Sequence, residues 1–276
     1  MKLSREDIIL GLPKLPAFPR VVSDILQTLS DAHAGMTVLV SHLQHDPIIS
    51  ARILSAANRQ IRHSGREPVG DVYTAASYIG LNQIHRIVVG TSLLDFAKNA
   101  RCSRHFWEHS LAVGICAQEL AREFGVNHEH ALVAGLLHDV GDLWMRSCHP
   151  TEYERLLDEH EPHAFSRMNA EQTMFGMDHC EIGGLLAAHW DLPQDIGQAI
   201  AQHHRPSGPN LSGLVAITHL AQQICHGLDL PYHLSNQVDG LSEEAVRVLG
   251  EDWADNLADV FGRVEARFRF DRTVLQ

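Results

Sequence analysis

The run Leu136-Leu137-His138-Asp139-Val140-Gly141-Asp142 sets two adjacent ionisable side chains inside an apolar stretch. The spacing of its neighbours predicts one helix from about Glu129 to about Met145, with Asn127 as its cap. Buried without partners, His138 and Asp139 would be strongly destabilising. Both therefore need a hydrogen bond, an opposite charge or a metal ion. On a continuous helix the two side chains differ by ~100° in azimuth, so a shared cluster has to lie across their common edge.

Outward from this run, the second half of the chain is helical and rich in chemistry. A helix from about Ser103 to Phe124 precedes it. Amphipathic segments at Glu152–Glu161 and Phe165–Phe175 read as polar enough to lie outside. Asp178 caps a helix carrying Ile182, Leu185 and Leu186, Leu192-Pro193 opens another that ends at His203-His204, and Leu214–Cys225 reads as buried. The first half is also helical. Leu12-Pro13-Lys14-Leu15-Pro16 is an extended strap, helices follow over Val21–Leu29 and from Thr37 to Leu43, and Asp46-Pro47 starts a helix stopping near Asn58. After a polar loop to Gly70, a short helix ends at Gly80, and another spans about Asn82 to Lys98. No period-two strand appears, so the fold class is all-α. The tail, residues 229–276, carries two further helices, near Ser242–Leu249 and Trp253–Phe268.

With 276 residues the chain can build one large domain or two modest ones. A formal net charge of −12 opposes nucleic-acid binding, which needs clustered Lys and Arg. The sequence lacks both a membrane-spanning apolar run and a signal core. The five scattered cysteines, odd in number and without CxxC spacing, read as reduced thiols of a cytoplasmic protein. Of the 20 histidines, most, including His42, His45, His63 and His85, read as surface or helix-end residues.

Four helices of the second half each place an unusual histidine: His109, His138 with Asp139, His179, and the pair His203-His204. Imidazole nitrogen with carboxylate oxygen suits a divalent ion such as iron, manganese or zinc, and facing helices are where bundles hold such ions. The six candidate metal ligands are therefore His109, His138, Asp139, His179, His203 and His204.

Their order resembles the HD superfamily of metal-dependent phosphohydrolases, and the run from about Leu12 to Cys225 resembles the HDOD domain, the HD-related output domain of bacterial signalling proteins. The resemblance is carried by Leu12-Pro13-Lys14-Leu15-Pro16, Asp46-Pro47 with Ala57-Asn58, Ile79-Gly80, Phe106-Trp107-Glu108-His109-Ser110, Ala134–Gly141, Phe175-Gly176 with His179, Trp190-Asp191-Leu192-Pro193, and His203-His204. It implies a multi-helix bundle with an N-terminal helical half over residues 1–100, an HD-like half over 101–228 holding the His/Asp cluster, and a C-terminal extension over 229–276. It also implies a bacterial signalling or regulatory role. Catalytic relatives tend to carry a Lys soon after the His-Asp, where this chain has Asp142, and a final Asp ligand where it has Gln222. The Gly-Tyr-Pro signature of cyclic-dinucleotide hydrolases is absent.

Two functions from different classes follow. One is a non-catalytic regulator that works through a protein partner, its cluster holding a structural or sensory metal. The other is a metal-dependent phosphohydrolase acting on a nucleotide or cyclic dinucleotide, with Arg146 or Arg205 as the cation nearest the site. An iron-based redox or gas sensor is a third reading that no residue selects.

Overall fold

In the computed structural model, residues 2–11, 43, 47–63, 67–81, 83–84, 87–88, 91, 103–159, 164–208, 211–231, 240–250 and 257–274 are described, and every regular element among them is an α-helix. The proline-rich strap and the expected helix over Val21–Leu29 lie outside the described residues, as does all but Leu43 of the segment from Thr37. The helices in chain order are α1 (Arg5–Gly11), α2 (Pro47–His63), α3 (Val72–Ile79), α4 (Arg104–Glu123), α5 (His128–Leu137), α6 (Val140–Cys148), α7 (Pro150–Glu159), α8 (Ala164–Phe175), α9 (His179–His189), α10 (Gln194–Gln202), α11 (Gly213–Gly227), α12 (Glu243–Leu249) and α13 (Leu257–Val274). No described helix is long and apolar enough to cross a membrane.

The chain divides into two units, Met1–Ala17 with Leu93–Phe268, and Phe18–Ser92 with Arg269–Gln276. In the second unit α2 runs past Asn58 to His63, further than its sequence pattern suggests. Asn58 does not end the helix. Its amide instead clamps the following loop, donating to Val69 O at 2.9 Å and accepting from Val69 N at 2.8 Å. Asp71 caps α3 by accepting from Thr74 N, and Gly80 closes it at φ 78°, a left-handed backbone that glycine adopts without strain. Ile84, Ile87 and Val88, from the expected Asn82–Lys98 helix, are buried.

The first unit is built around α4 and α11, which are buried along most of their length. α4 meets α5 where two glycines face each other: a Cβ on Gly135 would lie 2.7 Å from Gly114 Cα, so only glycine permits this approach. From α13, Arg263 pairs with Glu119 of α4 at 3.0 Å and Arg267 also reaches that carboxylate, which compensates a charge buried to 2% exposure. Asn127 caps α5, accepting from Glu129 N and His130 N.

Asp178 starts α9 with a reciprocal box: its carboxylate accepts from Glu181 N at 2.9 Å, and Glu181 accepts from Asp178 N at 3.0 Å. Asp178→Ala is expected to cost about 1 kcal/mol of stability, measured by urea denaturation. No change in the midpoint would show that the box is not stabilising.

One expectation is corrected at the centre of the chain. Glu129–Met145 is two helices, not one: α5 stops at Leu137, α6 begins at Val140, and His138-Asp139 form the joint. The His138 ring supplies the reason. Its Nδ1 donates to Gly135 O at 2.7 Å, taking the carbonyl that the Asp139 amide would need to continue the helix.

Candidate metal centre

The same device recurs at the end of α10. His203 Nδ1 donates to Ile200 O at 2.7 Å, the helix ends at Gln202, and Nε2 is left facing inward. His138 and His203 therefore each use one nitrogen to finish a helix and present the other to a common interior. Their ring centroids are 5.0 Å apart. His179, the first residue of α9, is oriented by Glu171 of α8. Its Nδ1 donates to Glu171 Oε2 at 2.6 Å, while its backbone N–H reaches the same oxygen at 2.9 Å. A carboxylate behind an imidazole fixes its tautomer and directs the free nitrogen, as is usual behind metal-binding histidines.

All six sequence candidates converge. His109 stands 5.3 Å from His138 between ring centroids, His179 lies 5.4 Å from His203 and 5.1 Å from His204, and His203 is 4.2 Å from His204. Asp139 sits between them. Its Oδ2 is 3.3 Å from His138 Nε2, and its Oδ1 is 3.4 Å from His203 Nε2 and 3.7 Å from His179 Nε2. The helix break lets His138 and Asp139 face one interior, which a continuous helix would allow only across a shared edge. His138, His179 and His203 are fully buried and Asp139 nearly so; His109 and His204 stay partly exposed.

The donor set fits a metal. His138 Nε2 and Asp139 Oδ1 are buried and make no hydrogen bond, and a buried acceptor left so is costly unless something coordinates it. Donor atoms within 4.8 Å of one another fall into two groups, His109–His138–Asp139 and His179–Cys180–His203–His204. The two Asp139 oxygens face one group each, since Oδ2 approaches His138 while Oδ1 approaches His179 and His203.

Electrostatics follow from this crowding. Burial works against ionisation of Asp139, yet His138, His203 and Arg167 hold its carboxyl well below the usual range. Burial would also raise the Cys180 thiol, but His203 and His179 bring it down to about 6, and the same pairing lifts His203 to about 9 against its own burial. His109 and His204 lie well below an ordinary imidazole because burial and neighbouring histidines oppose a proton. They are neutral donors at neutral pH.

Sequence reading missed several residues here. α8 was expected to lie outside, yet it brings in Glu171, which is fully buried, and Arg167, whose Nη2 is 3.2 Å from His179 Nε2 and 3.9 Å from Asp139 Oδ1. The available signal was the pairing of Arg167 and Glu171 one turn apart, 3.4 Å in the fold. His226 of α11 also joins, its ring 5.0 Å from His109 and one helical turn beyond Gln222. The two cations expected near the site are engaged elsewhere. Arg146 Nε pairs with Asp142 at 3.0 Å and its guanidinium lies over Tyr153, while Arg205 stands 3.9 Å from Asp178 and over Phe165. Trp107 is buried as core packing.

Glu171 predicts an acid limb. Burial opposes its charge, but His179 and Arg167 lower it from 4.5 to about 2. A depressed folded value means that its contribution is complete above pH 4.5 and disappears as pH falls towards 2, a swing of roughly 3 kcal/mol. Urea denaturation of metal-free protein across that window should show the slope, and Glu171→Gln should flatten it. An unchanged slope would sink the assignment.

Known proteins were compared with this arrangement. An uncharacterised protein of Treponema pallidum (strain Nichols) is 23% identical over 231 residues, 79% of this chain, and the chain spans 44% of that relative's length. Among solved structures, an HDOD domain protein of unknown function from Geobacter sulfurreducens superposes with a TM-score of 0.66 at 24% identity, over 95% of this chain and 96% of its own. A candidate phosphohydrolase from Shewanella amazonensis SB2B gives 0.67 at 22% identity, over 97% of both chains. A candidate signal transduction protein from Marinobacter aquaeolei VT8 gives 0.72 at 20%, over 95% of this chain and 60% of that one. These likenesses establish a shared all-helical fold. The HDOD domain pattern itself matches residues 15–206, from the proline-rich segment through His203-His204, and the chain belongs to the HDOD domain family.

Proposed function

We propose that this HDOD chain is a signalling regulator that acts through a protein partner and holds a divalent metal, iron, manganese or zinc, in its His/Asp cluster without catalysing hydrolysis. The carrying observation is the interior itself. Buried His138 Nε2 and Asp139 Oδ1, which make no hydrogen bond, suit an ion, whereas the basic side chains nearby are occupied by acids. His109, His138 and Asp139 would hold one ion and His179, His203 and His204 a second. Asp142, where a phosphate-holding Lys would serve a hydrolase, is buried and paired with Arg146. Family membership and the signalling relative with the same fold support the regulatory role.

One observation favours the second reading, a metal-dependent phosphohydrolase: Arg167 places a guanidinium beside Asp139 that could hold a phosphoryl oxygen. In that case a bound divalent ion would supply hydroxide for in-line attack.

Protein purified without a histidine tag should carry metal by elemental analysis, up to one equivalent for each ligand group. The loaded protein should turn over neither bis-p-nitrophenyl phosphate nor cyclic dinucleotides. Turnover that Arg167→Ala abolishes would transfer the site to the hydrolase reading. Protein that stays metal-free after reconstitution with zinc, ferrous iron and manganese would remove both.

A further inference from the structure

Cys180 belongs to the cluster by position, although a histidine-and-aspartate ligand set makes no use of it. It follows His179 at the start of α9 and is buried to 2% exposure. Its Sγ lies 3.5 Å from His179 Nε2 and sits beside the His203 ring, 3.7 Å from Nδ1 and 3.8 Å from Nε2. Each ring spends its Nδ1 on Glu171 or on Ile200 O, which leaves Nε2 as the ligating nitrogen; that of His179 also lies 3.2 Å from Arg167 Nη2. One donor atom from each of His179, Cys180, His203 and His204 lies within 4.8 Å of the others.

The spacing has a chemical meaning. A tetrahedral ion with bonds of about 2.3 Å to sulfur and about 2.0 Å to nitrogen separates the two donors by about 3.5 Å. The observed separations of 3.5 and 3.8 Å are close to that span. The sulfur also faces imidazole nitrogens rather than the aliphatic side chains that usually surround a buried thiol. The amides at the α9 N-terminus favour negative charge at this position.

We propose that Cys180 is a metal ligand, completing a nitrogen–sulfur site with His179, His203 and His204 that takes zinc or another thiophilic divalent ion in preference to manganese or magnesium. The inference rests on the metal-binding reading above and adds the ligand that sets its selectivity. On binding, the Cys180 S–H proton leaves to solvent as the metal–sulfur bond forms, with no change in oxidation state. Thiolate ligation selects such ions, whereas oxygen-rich sites favour manganese and magnesium.

The test is cobalt(II) titration of chelator-treated, tag-free full-length protein. Wild type should develop tetrahedral d–d bands together with a near-ultraviolet thiolate-to-cobalt charge-transfer band. Cys180→Ser should keep cobalt but lose that band, and its preference for zinc over manganese in competition should fall at least tenfold; circular dichroism checks that it is folded. Should Cys180→Ser and Cys180→Ala both misfold, the band is read in a variant with Cys102, Cys116, Cys148 and Cys225 replaced by alanine: its retention assigns it to Cys180, and its loss overturns the assignment. Cobalt bound without the charge-transfer band overturns the Cys180 assignment and leaves the metal reading standing. A band that survives Cys180→Ser assigns the sulfur to another cysteine and also overturns it. No cobalt uptake overturns both.

Discussion

Asp139→Asn is expected to empty the His109–His138–Asp139 group, lowering its affinity by at least ~100-fold and removing that group's equivalent of metal after desalting. The substitution keeps shape and size but removes the charge of the one carboxylate in that group. Asp139 lies 3.3 Å from His138 and 3.4 Å from His203, and 3.9 Å from Arg167. Without its carboxylate, Arg167 and the raised His179 and His203 lose one of their negative neighbours, leaving Glu171 and Cys180 to balance them. The metal-free variant should therefore also lose about 3–5 kcal/mol, the usual cost of breaking a buried ion pair by removing one partner. Elemental analysis and urea denaturation read the two effects separately. A variant that keeps the full wild-type metal content would place that ion elsewhere. One that loses metal with unchanged stability would show that Asp139 ligates without neutralising the cluster.

Gly141→Ala is expected to cost 3 kcal/mol or more and to scatter the ligands as well. α6 crosses α9 at this glycine, so an added Cβ would run into the His179 carbonyl oxygen and would stand 2.8 Å from His179 C and 2.9 Å from Gly183 N. These are backbone atoms, which cannot rotate away, so the effect should exceed the ~1–3 kcal/mol of ordinary overpacking. The displacement would also separate His138-Asp139 from His179, since those residues begin the two crossing helices. Gly183→Ala is the control. Its Cβ meets chiefly Ile200 Cγ2 at 2.8 Å, a side-chain atom able to shift, so the loss should be smaller. Equal denaturation midpoints for the two variants would refute the argument, and so would metal retained by Gly141→Ala.

Much of this was legible from residue order. Apolar spacing at helical period and the caps Asn127 and Asp178 placed the helices of the second half, and the six ligand candidates stood out as ionisable residues on otherwise apolar faces. Gly141 was visible as part of the motif, but its purpose was not, because close backbone approach involves a partner distant in sequence. The break at His138-Asp139 was missed for a related reason. Helix periodicity continues through it, and only the ring's contact with Gly135 O interrupts the backbone ladder.

By itself, the sequence determined the all-helical class and the HDOD resemblance and offered six candidate donors, because local periodicity and ligand chemistry are properties of short segments. The tertiary structure decided which nitrogen His138, His179 and His203 turn inward, brought Arg167, Glu171, Cys180 and His226 to the cluster, and diverted Arg146 and Arg205 to other acids. Those outcomes depend on contacts between helices far apart in the chain. The distance between two side chains on different helices is set by how the helices cross, which no local pattern encodes.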